Sequence, residues 1–164
     1  MYALGGVTAV VAAVVLFVLL QGSGSGSALG RTVPQLHGEH APPYAYNSSP
    51  PTSGNHLVNP SPSGHLGEPL IKESVVHNME HGSVVLWYQP GDPKLAGDVN
   101  RLVRELGNTC LVAGTYGDMT FTIVATVWGR MLELDRFDEP LLREFVQAYR
   151  GEQGPEAGLC RQDG

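Results

Sequence analysis

SVVLWYQPGDPKLAGDVNRLVRELGNTCLVAGTYGDMTFTIVATVW, residues 83–128, is the stretch whose pattern decides the fold. It opens at 83–89 with a short continuous apolar run, the pattern of a strand buried on both faces. Asp92-Pro93 follows, an N-cap residue and a proline suited to the first helical position. Leu95, Val99, Leu102, Val103 and Leu106 then recur at helical spacing as far as Gly107, so one face of a helix belongs to the core. Residues 110–116 (CLVAGTY) and 120–128 (TFTIVATVW) read as two strands joined through Gly117-Asp118-Met119. In the second, Phe121, Ile123, Ala125 and Val127 alternate with Thr122, Val124, Thr126 and Trp128, and the pair is expected to form a hairpin.

Toward the C-terminus, a last helix is expected from near Asp138, with Pro140 in its first turn. Leu141, Leu142, Phe145, Val146 and Tyr149 lie on one stripe of it, and Gly151 ends it. The order strand, helix, strand, strand, helix predicts an α+β fold: one small domain with a mixed or antiparallel sheet and its helices on one face.

Toward the N-terminus, residues 33–69 hold eight of the twelve prolines, together with Gly38, Gly54, Gly64 and Gly67. Such a composition excludes long helices and central strands. Leu36, Tyr44 and Tyr46 give it apolar anchors, so it is expected to wrap over the domain in an ordered path. Residues 22–32 (GSGSGSALGRT) read as a flexible linker. Before them, MYALGGVTAVVAAVVLFVLL is apolar apart from Tyr2 and Thr8, and about 20 such residues in a helix span a ~30 Å hydrocarbon core.

Residues 1–21 are therefore expected to be a transmembrane anchor. No Lys or Arg precedes the apolar run, as the basic start of a cleaved signal peptide would require, so the anchor is expected to stay. That makes the chain a single-pass inner or cytoplasmic membrane protein whose domain, residues 33–164, lies on the extracytoplasmic or periplasmic side. In that compartment Cys110 and Cys160 are candidates for a disulfide that closes a loop of about fifty residues and stabilises by about 4 kcal/mol. Two unpaired thiols are the alternative.

Composition narrows the function. All 26 charged residues follow Gly30, and the net charge is -6 with a pI near 5.4. An acidic chain with no basic patch is not a sequence-independent nucleic-acid binder. A length of 164 residues excludes a large multidomain enzyme. The two cysteines lack the Cys-x-x-Cys spacing of a zinc ribbon or a thioredoxin-like centre.

All six histidines (37, 40, 56, 65, 77, 81) precede the regular part of the fold. Neutral imidazole is the commonest metal ligand, and loops on a rigid scaffold are where binding residues gather. In Val76-His77-Asn78-Met79-Glu80-His81-Gly82 one helical turn would bring His77 and His81 to the same face. A strand would hold them about 13 Å apart, too far for one ion. The turn Thr52-Ser53-Gly54, stiffened by Pro50 and Pro51, presents His56 as a third ligand. Met119 at the expected hairpin tip is either packed or a fourth, thioether ligand. Three imidazoles with a thioether suit copper, whereas three imidazoles with water or Glu80 suit zinc. The string His-x-x-Glu-His also occurs in inverted zinc peptidases, where the glutamate is the general base.

GEHAPPYAYNSSPPTSGNH (38–56), ESVVHNMEHGSVVLWY (73–88) and Val127-Trp128-Gly129 resemble the bacterial membrane-anchored family called domain of unknown function 3105. Its members carry Gly-x-x-His, Tyr-Asn-x-x-Pro-Pro-Thr-Ser-Gly-Pro-His and Val-His-Asn-Leu-Glu-His-Gly. The resemblance covers roughly residues 36–150 and falls on His40, His56, His77, Glu80 and His81, with Asn55 where the family has proline and Met79 where it has leucine. It implies the topology and the choice of histidines, and no reaction. His37 and His65 match none of these motifs and are read as surface residues.

The reading is a membrane-anchored domain that binds or delivers copper through His56, His77, His81 and Met119. Glu80 or His40 would orient a ligand imidazole. Its partners would be the membrane and a membrane metalloenzyme or transporter. Zinc is the alternative ion, a zinc-dependent hydrolase is the alternative activity, and a metal-free interaction module is the third reading.

Overall fold

A computed structural model describes residues 28–161; the expected anchor, residues 1–21, and most of the expected linker lie outside the described residues. In chain order the elements are strands β1 (Arg31–Thr32) and β2 (Gly64–Pro69), helix α1 (Lys72–Glu80), strand β3 (Val84–Tyr88), helix α2 (Pro93–Leu106), strands β4 (Leu111–Thr115), β5 (Ile123–Val127) and β6 (Arg130–Leu134), helix α3 (Glu139–Tyr149) and a 3-10 turn at Leu159–Arg161. The six strands form one mixed sheet in the order β1-β6-β5-β3-β4-β2, so the domain is α+β.

Both long helices begin as their sequences dictate. Asp92 accepts hydrogen bonds from the backbone N–H groups of Lys94 (2.9 Å) and Leu95 (3.2 Å), and Asp138 accepts one from Leu141 (3.2 Å). Proline follows within two positions in each case, where a missing N–H is harmless.

The expected hairpin of residues 110–116 and 120–128 is not formed, because β3 lies between those strands. β3 pairs parallel with β4 on one edge and antiparallel with β5 on the other. Every residue of β3 is buried, so its stable place is the interior of the sheet, and the α2 crossover returns the chain parallel beside it. The hairpin is made instead by β5 and β6 around Trp128-Gly129, with Gly129 at a φ of 71°.

The two faces of the sheet have different covers. Leu86, Tyr88, Ala113 and Ala125 pack with Leu95, Val99 and Leu102 of α2 and with Leu142, Phe145 and Val146 of α3. Val85, Trp87, Val112 and Val124 pack with Val75, Val76 and Met79 of α1. The helices are thus not all on one face as expected, since a strand that is apolar on both sides needs a cover on both.

The proline-rich segment shares the second face with α1, and hydrogen bonds hold it there. Val33 N–H donates to Gly129 O (2.9 Å), Gly129 N–H to Thr52 O (3.0 Å) and Leu57 N–H to Glu73 O (3.1 Å). Asn78 accepts from Ser61 N–H (2.8 Å) and donates to Ser61 O (2.9 Å). The expected linker also ends sooner than residue 32. Arg31 and Thr32 pair with Met131 and Arg130 as the sheet's edge strand, and Leu29 packs against the core.

His65, read as a surface residue, stacks instead on the buried Tyr88, with Nε2 2.8 Å from its hydroxyl. Burial lowers its pKa from the ordinary 6.5. A depressed histidine pKa gives stability that is complete above the unfolded value and lost as pH falls toward the folded one. Between about pH 7 and about pH 5 the wild type should therefore lose stability more steeply than His65→Phe in urea titrations; parallel profiles would contradict the burial of this ring.

Candidate metal centre

His40, His56, His77, Glu80 and His81 meet at one end of the sheet, beside the start of β3. Ser74 to Met79 are all buried, so α1 has no polar stripe that would announce a helix. Its nine residues nonetheless supply the turn that a shared ion requires. His81 N–H donates to His77 O (3.2 Å), and the two Nε2 atoms lie 3.2 Å apart.

His56 enters from the Thr52-Ser53-Gly54 turn and is fully buried, as are Thr52 and Ser53. Its Nδ1 is 2.9 Å from Gly54 O, and His77 Nδ1 is 2.8 Å from Leu57 O. A carbonyl only accepts, so in both rings Nδ1 carries a hydrogen, and in the neutral ring Nε2 keeps its lone pair. The tautomers of neutral His56 and His77 are thus set by backbone carbonyls.

His40 is brought in by the neighbouring stretch of chain. His56 N–H donates to Glu39 O (2.9 Å), and Glu39 N–H donates to Asn55 Oδ1 (3.1 Å). The His40 ring, with 48% of its side chain exposed, stacks on His77 at 4.9 Å between centroids and meets His56 edge-on at 4.8 Å.

Glu80 Oε2 lies 3.0 Å from His56 Nε2 and 3.8 Å from His40 Nε2. With the His56 hydrogen on Nδ1, the short contact sets one acceptor against another, which a cation must bridge, either a proton or a metal ion. Two ligand groups result, His40 with His56 and His77, and His77 with Glu80 and His81; within each, the donor atoms lie within 4.8 Å of one another. A tetrahedral ion with bonds of 2.0–2.1 Å separates its donors by about 3.3 Å, close to the two short contacts. Burial lowers the His77 pKa, as does its nearness to His81, His56 and His40, while its bond to the Leu57 carbonyl opposes the shift. The net direction favours the neutral imidazole that coordinates metals.

Glu80 also faces a cavity of about 280 Å³ walled by Leu36, Gly38, Trp128 and Pro155. Gly38 is confined there: a Cβ would stand 3.0 Å from the Trp128 ring and 3.1 Å from His56 Cε1.

Met119 is not in this group. Its carbonyl accepts from Gln89 Nε2 (2.5 Å) past the far end of β3, whereas His81 precedes the near end. Five residues of strand, about 17 Å, separate those ends. The expected hairpin tip does not exist as drawn, and Met119 packs against the second-face core instead. His37 lines the same cavity as Glu80 but belongs to neither ligand group, and 86% of its side chain is exposed.

One acidic neighbour gave no local signal in the sequence. Glu156, from the tail after α3, places Oε2 3.3 Å from His81 Nε2. Its tail is tied down by a Cys110–Cys160 disulfide. No motif marks a carboxylate so far along the chain, and only the spacing of the two cysteines pointed to that tail.

A family model described as a protein of unknown function (DUF3105) matches residues 37–163, which include all of these residues. No curated protein and no solved structure matches the chain.

Proposed function

We propose, for a chain that belongs to the family described as a protein of unknown function (DUF3105), that its domain binds one transition-metal ion and holds or delivers it. The ligands are His77 with either His40 and His56 or Glu80 and His81, the two groups that its ring joins. One observation carries this reading: two imidazoles locked at Nδ1 by backbone carbonyls turn their Nε2 atoms toward a further imidazole and a carboxylate. That is the usual way a protein orients a histidine ligand.

Nitrogen and oxygen donors without sulfur disfavour copper(I). For such a set the general order of affinities puts copper(II) above zinc, so copper(II) leads and zinc follows. The domain is proposed to sit outside the cytoplasm behind the apolar residues 1–20, where a disulfide persists, and to serve a membrane metalloenzyme or transporter.

The test uses the full untagged chain in mild detergent, loaded with copper(II) or zinc(II) and desalted. Mass spectrometry should find about one equivalent per chain, and a native-state ligand at a hundred times its Kd should add about 2.7 kcal/mol of stability. No stoichiometric ion and an unmoved thermal midpoint would leave the metal-free interaction module.

The cavity beside Glu80 favours a second reading, a zinc hydrolase in which this carboxylate activates a bound water. It predicts that Glu80→Gln keeps the ion and loses ester or peptide hydrolysis. A wild type without turnover on such substrates would remove it.

A further inference from the structure

We infer that the C-terminal tail is a working part of the metal centre, with Glu156 as an added carboxylate partner of His81 and the Cys110–Cys160 disulfide as the tie that keeps it there. The inference rests on the metal-binding reading above and names what completes that site.

A helix leaves its last carbonyls without partners of its own. In α1 the carbonyls of His77, Asn78 and Met79 accept from His81, Ser83 and Gly82, while that of Glu80 and those of His81 and Gly82 just beyond it are taken by the tail. Gly151 N–H donates to Gly82 O (2.8 Å), Glu156 N–H to Glu80 O (3.0 Å), and the N–H groups of Gly158 and Cys160 both donate to His81 O (3.1 and 3.2 Å). The backbones run so close that a Cβ on Gly154 would stand 2.3 Å from Glu80 O and 2.6 Å from Met79 O. The tail therefore fixes the backbone of two proposed ligand positions and delivers a carboxylate to one of their rings.

Its own packing does not hold it. No residue from Glu152 to Leu159 is buried, and the ion pair of Arg161 with Glu152 is exposed on both sides. A segment with so little apolar burial opens easily. Cys160, four residues past Glu156, is buried and bonded to Cys110 at the start of β4. This covalent bond, beside the four backbone hydrogen bonds, keeps Glu156 within reach of His81. A dithiol reductant would open it by giving two electrons and two protons, yielding two thiols and becoming a disulfide itself. The tail would then be free to leave, and the ion would lose one partner and the support behind His81.

The experiment compares the full chain with the double variant Cys110→Ser/Cys160→Ser and with Glu156→Gln, which keeps the disulfide. Zinc(II) affinity is measured by competition with a chelating dye, and backbone hydrogen exchange is followed in metal-free samples. The double variant should bind zinc about ten- to a hundredfold more weakly and Glu156→Gln about tenfold, the range for residues that support a ligand. In the double variant the amides of 156–160 should also lose protection while those of β3 keep theirs.

Unchanged affinity in both variants, or a tail that stays protected without its disulfide, overturns the inference. If the double variant fails to fold, Glu156→Gln decides the role of the carboxylate. A wild type that binds no zinc or copper at all, with tail protection still dependent on the disulfide, overturns the metal reading and this role for Glu156 together. The tie would then be a staple for α1 only.

Discussion

His77→Ala should lose the proposed stoichiometric metal ion, with affinity falling by more than about a hundredfold, beyond the usual loss for residues that merely support a ligand. His77 alone belongs to both ligand groups, so its removal leaves neither with three donors. His40, His56 and His81 each belong to one group, and His40→Ala and His81→Ala should weaken binding by smaller factors. His77 is also the ring whose chemistry is most constrained: 6% exposed, locked at Nδ1 by Leu57 O and held toward the neutral form by burial. His37→Ala is the matched control, since that ring is 86% exposed, pairs with Glu39 at 3.8 Å and belongs to neither ligand group. Metal per chain by mass spectrometry, with circular dichroism to show that the variant is folded, reads the outcome. A folded His77→Ala that keeps a full equivalent would mean that the ion is bound elsewhere.

Trp87→Ala is the substitution expected to hurt stability most, at about 3–5 kcal/mol. The indole is fully buried under α1, and its Nε1–H donates to Thr126 Oγ1 at 2.6 Å. Thr126 in turn donates to Met79 Sδ at 3.2 Å. Truncation opens a cavity between sheet and helix and leaves the threonine hydroxyl without its donor, two losses that add. Against a typical total of 5–15 kcal/mol this removes a large share of the fold's stability. Urea titration should show a lower midpoint with an unchanged slope, and Trp87→Phe should recover most of the loss. Because α1 carries His77 and Glu80, Trp87→Ala should also weaken metal binding. A loss below about 1 kcal/mol would mean that α1 does not pack on this face.

What could be read from the sequence follows from how local each signal is. β3, α2 and α3 announce themselves through an unbroken apolar run and two Asp-x-Pro or Asp-Pro starts with helical stripes behind them. α1 does not, because six consecutive buried residues carry no periodicity. The pairing of β4 with β3 is a decision about distant segments, and the near neighbours 110–116 and 120–128 suggested the wrong partner. That single error carried Met119 toward the histidines, from which the real register removes it. His40, His56, His77, Glu80 and His81 do come together, since proline-stiffened turns and one helical turn set them locally. Glu156 reaches them only through a long loop closed by two cysteines, and no short pattern encodes such a closure.

The same closures bear on the order of assembly. The edge pairing of Arg31 with Met131 spans a hundred residues, and the bond between Cys110 and Cys160 spans fifty. Chains ruled by distant contacts fold slowly, because wide loops must close before those contacts reward it. The histidines leave the ribosome early, but the scaffold that aims them is complete only when the last residues have docked. During that interval the histidines are not yet aimed at one another, and any selectivity of the proposed site belongs to the finished fold.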